Sequence, residues 1–338
     1  MKKLLTTFLF LFILFYNSFA KNITPTIQNG VLNLEKWELE KDGNLQLSGN
    51  VEFYWNKFLF TQNNLLIPDY TFIPGKWPQN QKYNNFGYGT YRFKIIVSES
   101  SVGKIGALKI GDVCTAYSIY INGKKCGFSG TAETTKEKTE PYYSSKIISF
   151  VLKRENEIVF QVSNFHNRSA GLWGTIVFGS SENINRLRDS KVAFEMFLFG
   201  SILMAGFTHI IIYFFRTKEK VFGIFGLFCT VIALRIIMTG ERIFNNFNNT
   251  LNWEILFKIE FLTFYIGVLL FLLFFKSMFP KEFSKRFYSL FLWITILHVL
   301  MVLFSKASFY TRYQEFFQFF SILNCQYKSE KLNLFLHF

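Results

Sequence analysis

Four apolar stretches follow one another between Val192 and Phe304, at about 192–215, 221–239, 260–279 and 288–304. Each approaches or reaches the roughly 20 residues that a helix needs to cross a bilayer. A chain built this way must place this half in lipid as a helical bundle. That placement also accounts for a 50% hydrophobic content with 45 Phe and a mean hydropathy of +0.20. A fifth apolar run, 316–323, breaks off after about eight residues, too few to cross.

The formal charge of +14 points away from nucleic acid, because the Lys and Arg residues are dispersed and many flank the apolar spans. Counted by loop, 216–220 and 276–287 carry Arg216, Lys218, Lys220, Lys276, Lys281, Lys285 and Arg286. The opposing loops carry Arg242, Lys258, Lys306 and Arg312. Seven against four places the first pair of loops inside. Four ionisable side chains fall within or at the edge of spans, where they are costly and often functional: His209, Arg235, Glu260 and His298. The plainer reading makes the two His hydrogen-bonding groups of the bundle interior and makes Arg235 and Glu260 interface anchors.

The N-terminus agrees with the charge count. Lys2 and Lys3, the apolar run Leu4–Phe15 and Ser18-Phe19-Ala20 have the order of a signal peptide cleaved after Ala20. Residues 21–185 are then an exported domain. Short β-rich runs dominate it: 45–47, 51–54, 91–97, 107–110, 116–121, 147–152, 158–162 and 175–178, separated by turn signals such as Pro74-Gly75 and Asn122-Gly123. Asn122-Gly123 suits a type I′ hairpin turn, whose central residues both need positive φ. Eight or more such strands predict an all-β sandwich of jelly-roll type. Cys114 and Cys126 both lie in this oxidising compartment. They are either a disulfide between adjacent strands or two unrelated thiols. No Cys/His cluster has metal-ligand spacing, and Gly87-Tyr88-Gly89 leads into a strand, so it is no phosphate loop. No metal and no cofactor are expected.

Several motifs carry a resemblance. Leu47-Ser48-Gly49-Asn50-Val51-Glu52-Phe53-Tyr54-Trp55, Pro74-Gly75-Lys76-Trp77, Gly87-Tyr88-Gly89-Thr90-Tyr91-Arg92, Tyr117–Gly123 and Gln161–Arg168 with Gly171-Leu172-Trp173 resemble the ectodomains of certain bacterial sensors. Galactose-binding-like jelly rolls at the front of β-galactosidase-type glycosidases share this order. Val51 stands where an aromatic residue is usual, and Ala170 replaces the first Gly of a Gly-Gly pair. Downstream, Phe199–Met204, Tyr213–Arg216, Ala233–Arg242, Lys258–Tyr265 and Met278–Glu282 look like the seven-transmembrane receptors with diverse intracellular signalling modules. The resemblance implies a mixed architecture, a jelly-roll sandwich followed by an α-helical transmembrane bundle. It also implies a cyclase, kinase or phosphatase domain after the seventh helix of full-length relatives.

Trp77, Asn164, His166, Arg168 and Trp173 are the candidate ligand residues, since aromatic faces beside amide, imidazole and guanidinium groups suit a sugar. The plainer reading puts the tryptophans in the core. Residues 190–323 are then a seven-transmembrane sensor domain cut short after about four spans, and 324–338 an aberrant tail from a frameshift or premature stop. The expected protein is a multi-pass receptor of a bacterial inner membrane with its N-terminal domain in the periplasm. It has no enzymatic output of its own. Its partners are a small-molecule or carbohydrate ligand, the lipid bilayer and another membrane protein, with no nucleic acid. The alternative is a membrane-tethered carbohydrate-binding or carbohydrate-active protein.

Overall fold

The computed structural model describes residues 24–60, 67–77, 83–247, 251–280 and 285–321. The expected signal peptide at 1–20 and the expected aberrant tail at 324–338 lie outside these residues. Strands and helices are numbered along the chain. The larger sheet has the order β4 (Asp69–Ile73), β3 (Gly49–Trp55), β5 (Gly87–Val97), β10 (Glu155–Asn164), β7 (Ala116–Ile121), β8 (Lys124–Ser129), with β1 (Val31–Leu34) parallel to β5. The smaller has the order β2 (Leu45–Gln46), β11 (Ile176–Ser180), β6 (Ile105–Ile110), β9 (Lys146–Val151). Phe53, Phe93 and Phe160 from the first sheet and Leu108, Ile176 and Phe178 from the second share one buried core, which makes the two sheets a sandwich.

All eight strands expected from the sequence are present. The hairpin after β7 has Asn122 at φ 51° and Gly123 at φ 79°, the positive pair that its turn requires. Of the two readings open for the cysteines, the structure has the unrelated thiols: Cys114 and Cys126 are both free. Cys126 sits on β8 beside the β7–β8 bulge, with its thiol on the Lys124 carbonyl, whereas Cys114 precedes β7 and is buried against Tyr143. Residues on paired strands bridge only when they face each other, and these two do not.

β11 runs into the membrane half without a linker. Its last residue, Ser180, caps α1 (Ser181–Phe215), its hydroxyl accepting from the Asn183 amide at 3.2 Å. A short loop leads to α2 (Lys220–Met238), which packs closely on α1 where Gly206 faces Gly226. Then come the short α3 (Ile243–Phe247), α4 (Trp253–Met278), α5 (Lys285–Phe304) and the short α6 (Ala307–Tyr310). Among the described residues α1, α2 and α4 are long and apolar enough to cross a membrane, and the apolar part of α5, Tyr288–Phe304, is shorter. Large side chains such as Phe197, Phe214, Trp293 and Phe304 point outward, a surface that lipid covers and water would not. Tyr265, Phe291, Tyr310 and Phe317 pack inside.

Candidate functional site

The turn that closes α2 is Thr239-Gly240-Glu241-Arg242, and it meets the sandwich. Gly240 has φ +62°, and a Cβ there would stand 2.2 Å from a carboxylate oxygen of Glu195 on α1. That carboxylate accepts from the Glu241 amide at 3.1 and 3.2 Å. Glu241 then reaches the sandwich, where Lys109 of β6 donates to it at 2.6 Å and Ser145 at 3.0 Å.

Arg242 is the centre of the arrangement. It has φ +53°, a strained region for a residue with a side chain, and is buried. Its Nε and Nη2 grip both oxygens of Asp112 at 2.6 and 2.7 Å, a two-pronged pair with the sandwich. Nη1 donates to Glu260 of α4 at 3.0 Å and to the Met238 carbonyl at 3.3 Å. The guanidinium also lies 4.9 Å from the Tyr143 ring centre. Burial alone would lower its pKa, but the Glu260 and Asp112 charges raise it above the ordinary value. One cation thus ties a loop of the sandwich to two membrane helices. Beside it Tyr142 donates to the Asn245 carbonyl at 2.7 Å, and Asn245 donates back to the Tyr143 carbonyl at 3.1 Å.

A cavity of about 230 Å³ opens along this seam, lined among others by Cys114, Tyr143, Asn167, Trp173, Arg242 and Glu260. Cys114, Tyr143 and Asn167 form a closed triangle of contacts at 2.7, 3.0 and 3.3 Å. Burial pushes the Cys114 thiol up to about 12 and the Tyr143 phenol well above its usual value, so both are neutral donors near pH 7.

The residues picked from the sequence distribute around this seam. Trp77 is buried and meets Trp55 edge to face at 4.8 Å. Asn164 is 0% exposed and donates to the Asn85 and Asn167 carbonyls at 2.8 and 2.6 Å, which fixes the loop that follows. His166 is half-buried, its ring 6.2 Å from that of Trp253 at the start of α4. Burial, then the charges of Lys136 and Lys306, lower its pKa. Arg168 pairs with Glu315 beyond α6, and Trp173, 44% exposed, lines the cavity. The loop therefore faces the membrane half.

Among the intramembrane groups, His209 and His298 each place Nδ1 2.8 Å from the carbonyl one turn back, Ala205 and Ile294. Arg235 turns inward, donating to the Glu260 carbonyl at 2.7 Å and lying over Phe264. Asp112 and Lys109 were not singled out in the sequence, and Glu241 and Arg242 entered only within the Ala233–Arg242 motif and, for Arg242, as a loop charge. The one available signal was Gly240-Glu241-Arg242, charged and glycine-led at a span's end.

A β sandwich docked through buried ion pairs on helices of which three are long and apolar enough to cross a membrane defines the class by fold: a β domain joined to a membrane-type helical domain. Residues 191–327 match the family model described as 7TM diverse intracellular signalling, so the helical half of the chain is similar to the membrane domain of that family of receptors. No curated protein matches the chain. Solved structures similar to it include a β-glucuronidase from an uncultured Clostridium sp., at 14% identity over 40% of this chain and 29% of that one, TM-score 0.33. Another is the Ruminococcus gnavus β-glucuronidase, at 14% identity over 40% and 28%, TM-score 0.32. This chain thus spans less than a third of either enzyme's length, and likeness at that level carries no functional weight.

Proposed function

We propose that the protein is a sensory receptor whose exported, galactose-binding-like jelly-roll domain recognises a small molecule of carbohydrate type. Its occupancy is passed to the helices across the seam, with the sandwich on the periplasmic side of a bacterial inner membrane. The observation that carries this reading is Arg242, which joins Asp112 of the sandwich to Glu260 of α4 through one buried guanidinium. A tether alone needs no such triad, whereas a signal needs a two-sided contact whose rearrangement is felt by both halves. The chain's role in this reading is recognition and relay, with chemistry left to a partner or to a domain outside residues 1–338.

Hydrogen exchange on the full chain in nanodiscs tests the relay. With Arg242→Gln, exchange should rise both at 110–115 in the sandwich and in the first turns of α4. A rise confined to 239–245 would show that Arg242 only holds its own turn, and the relay would be wrong.

A further inference from the structure

A second cavity, of about 490 Å³, adjoins the seam where the loop after β10 meets the chain beyond α6. It is lined by Lys76, Asn84, Asn85, Arg168, Arg312 and Glu315 among others. Its volume falls within the range of about 300–1,000 Å³ usual for small-molecule sites. The lining includes three cationic residues and one carboxylate, a net charge of +2 (three minus one), and of the cations Arg168 and Lys76 act on the Glu315 carboxylate. Lys76 sits on a stiff segment, since Gly75 donates to the Leu172 carbonyl and Trp77 to the Ala170 carbonyl, both at 2.8 Å. Arg168 divides its guanidinium between the Arg312 carbonyl, at 3.3 Å, and the Glu315 carboxylate.

The two partners of that ion pair differ in exposure. The Arg168 side chain is 22% exposed and Glu315 65%. Arg168, then Lys76, hold the Glu315 carboxyl below its ordinary value, a sign of a field that draws in anions. Glu315 is thus an internal carboxylate lying in a cationic cleft, with one side open to solvent. Asn84, Asn85 and Ser169 supply amide and hydroxyl groups around it, the kind that pair with sugar hydroxyls.

We infer that this cleft binds a sugar acid, whose carboxylate takes the place of Glu315 on Arg168 and so frees the 312–315 segment from the sandwich. The inference rests on the receptor reading and adds to it the ligand's charge and the contact that its binding breaks. The exchange reaction needs no covalent step: one ion pair opens and another of the same type forms.

Calorimetry on the full chain in phosphatidylcholine nanodiscs tests it, with D-glucuronate, D-galacturonate and D-gluconate as probes and D-glucose and D-galactose as neutral controls. At least one acid should bind about tenfold more tightly than its neutral counterpart. Arg168→Gln and Arg312→Gln should each weaken it by about tenfold, while Glu315→Gln should strengthen it several-fold. That opposite sign separates a displaced internal ligand from a structural ion pair, in which both partners' loss would act alike. Arg312→Gln and Glu315→Gln leave the Asn164-anchored loop intact, so the comparison survives if Arg168→Gln misfolds.

Three results would overturn the inference. The first is no binding of any acid below about 10 mM in the wild type and in Glu315→Gln. The second is competition by inorganic phosphate at equal strength, which would make the cleft a plain anion site. The third is loss of acid binding in phosphatidylglycerol nanodiscs, which would assign it to a lipid headgroup. A neutral sugar that binds regardless of these substitutions would remove the carboxylate and leave the receptor reading standing. The Arg242 exchange experiment decides that reading separately.

Discussion

Arg242 shows how much can depend on one side chain. Removing one member of a buried pair strands its partners, and here two carboxylates would be left facing each other. Arg242→Gln should therefore cost about 3–5 kcal/mol in chemical unfolding of the detergent-solubilised chain. A loss below about 1 kcal/mol would place the triad in solvent, as for an exposed pair. Asp112→Asn removes only one carboxylate and should cost less. His166 gives a second expectation. Its folded pKa is lowered from 6.5 by burial, then by Lys136 and Lys306. Between that lowered value and 6.5 the unfolded chain binds a proton that the folded chain does not. Its contribution to stability is therefore full above pH 6.5 and falls as pH drops through this window. Melting temperatures between about pH 5 and 8 should show an acid limb that His166→Gln flattens. An unchanged limb would assign it to other groups. The charged seam was not legible locally: Asp112 and Arg242 are 130 positions apart, and Lys109 and Glu241 are 132 apart.

At the level of elements, the strands that were legible are those rich in β-branched and aromatic residues. β8, Lys-Lys-Cys-Gly-Phe-Ser, lacks that composition and is held by its hairpin to β7. β1 and β4 are short, and β4 lies at the edge of its sheet, where pairing sets the strand more than propensity does. The helices were found by apolarity, so their polar first turns were not. α4 starts at Trp253 because Asn252 accepts from the Glu254 amide at 2.7 Å, and α1 starts eleven residues before the apolar run at Val192. Contact between α1 and α2 depends on missing side chains. A Cβ on Gly226 would stand 2.6 Å from Ile210 Cγ1 and 2.9 Å from the Gly206 carbonyl. Gly226→Leu should push the two helices apart. Unfolding of the detergent-solubilised chain would report this: the midpoint should drop clearly in the Leu variant, and an unchanged midpoint would refute the close packing.

For the whole molecule, the architecture was legible because lipid and water select different sequence patterns, and each half of the chain follows one of them. The docking of those halves was not, since it rests on single charges that meet only after both have folded. The loop 164–173 was singled out in the sequence as chemically rich, yet its direction, toward the helices, shows only in the fold, where His166 meets Trp253 at the start of α4. Orientation across the bilayer is the remaining expectation at this scale. Alkaline phosphatase fused after Asn185 should be active and one fused after Lys218 silent, following the charge asymmetry of the loops. The reverse pattern would invert the topology.

The strand-to-helix passage at Ser180 also constrains how this chain can vary. Each residue added there turns everything downstream by about 100° and advances it by about 1.5 Å. Seven extra residues would bring the azimuth back to within about 20°, but would lift the sandwich by about 10 Å and pull Asp112 out of reach of Arg242. Angle and height cannot both be restored by any small insertion. The junction is therefore fixed in phase, and a foreign β domain grafted onto these helices would have to enter α1 at the same residue to meet the same partners.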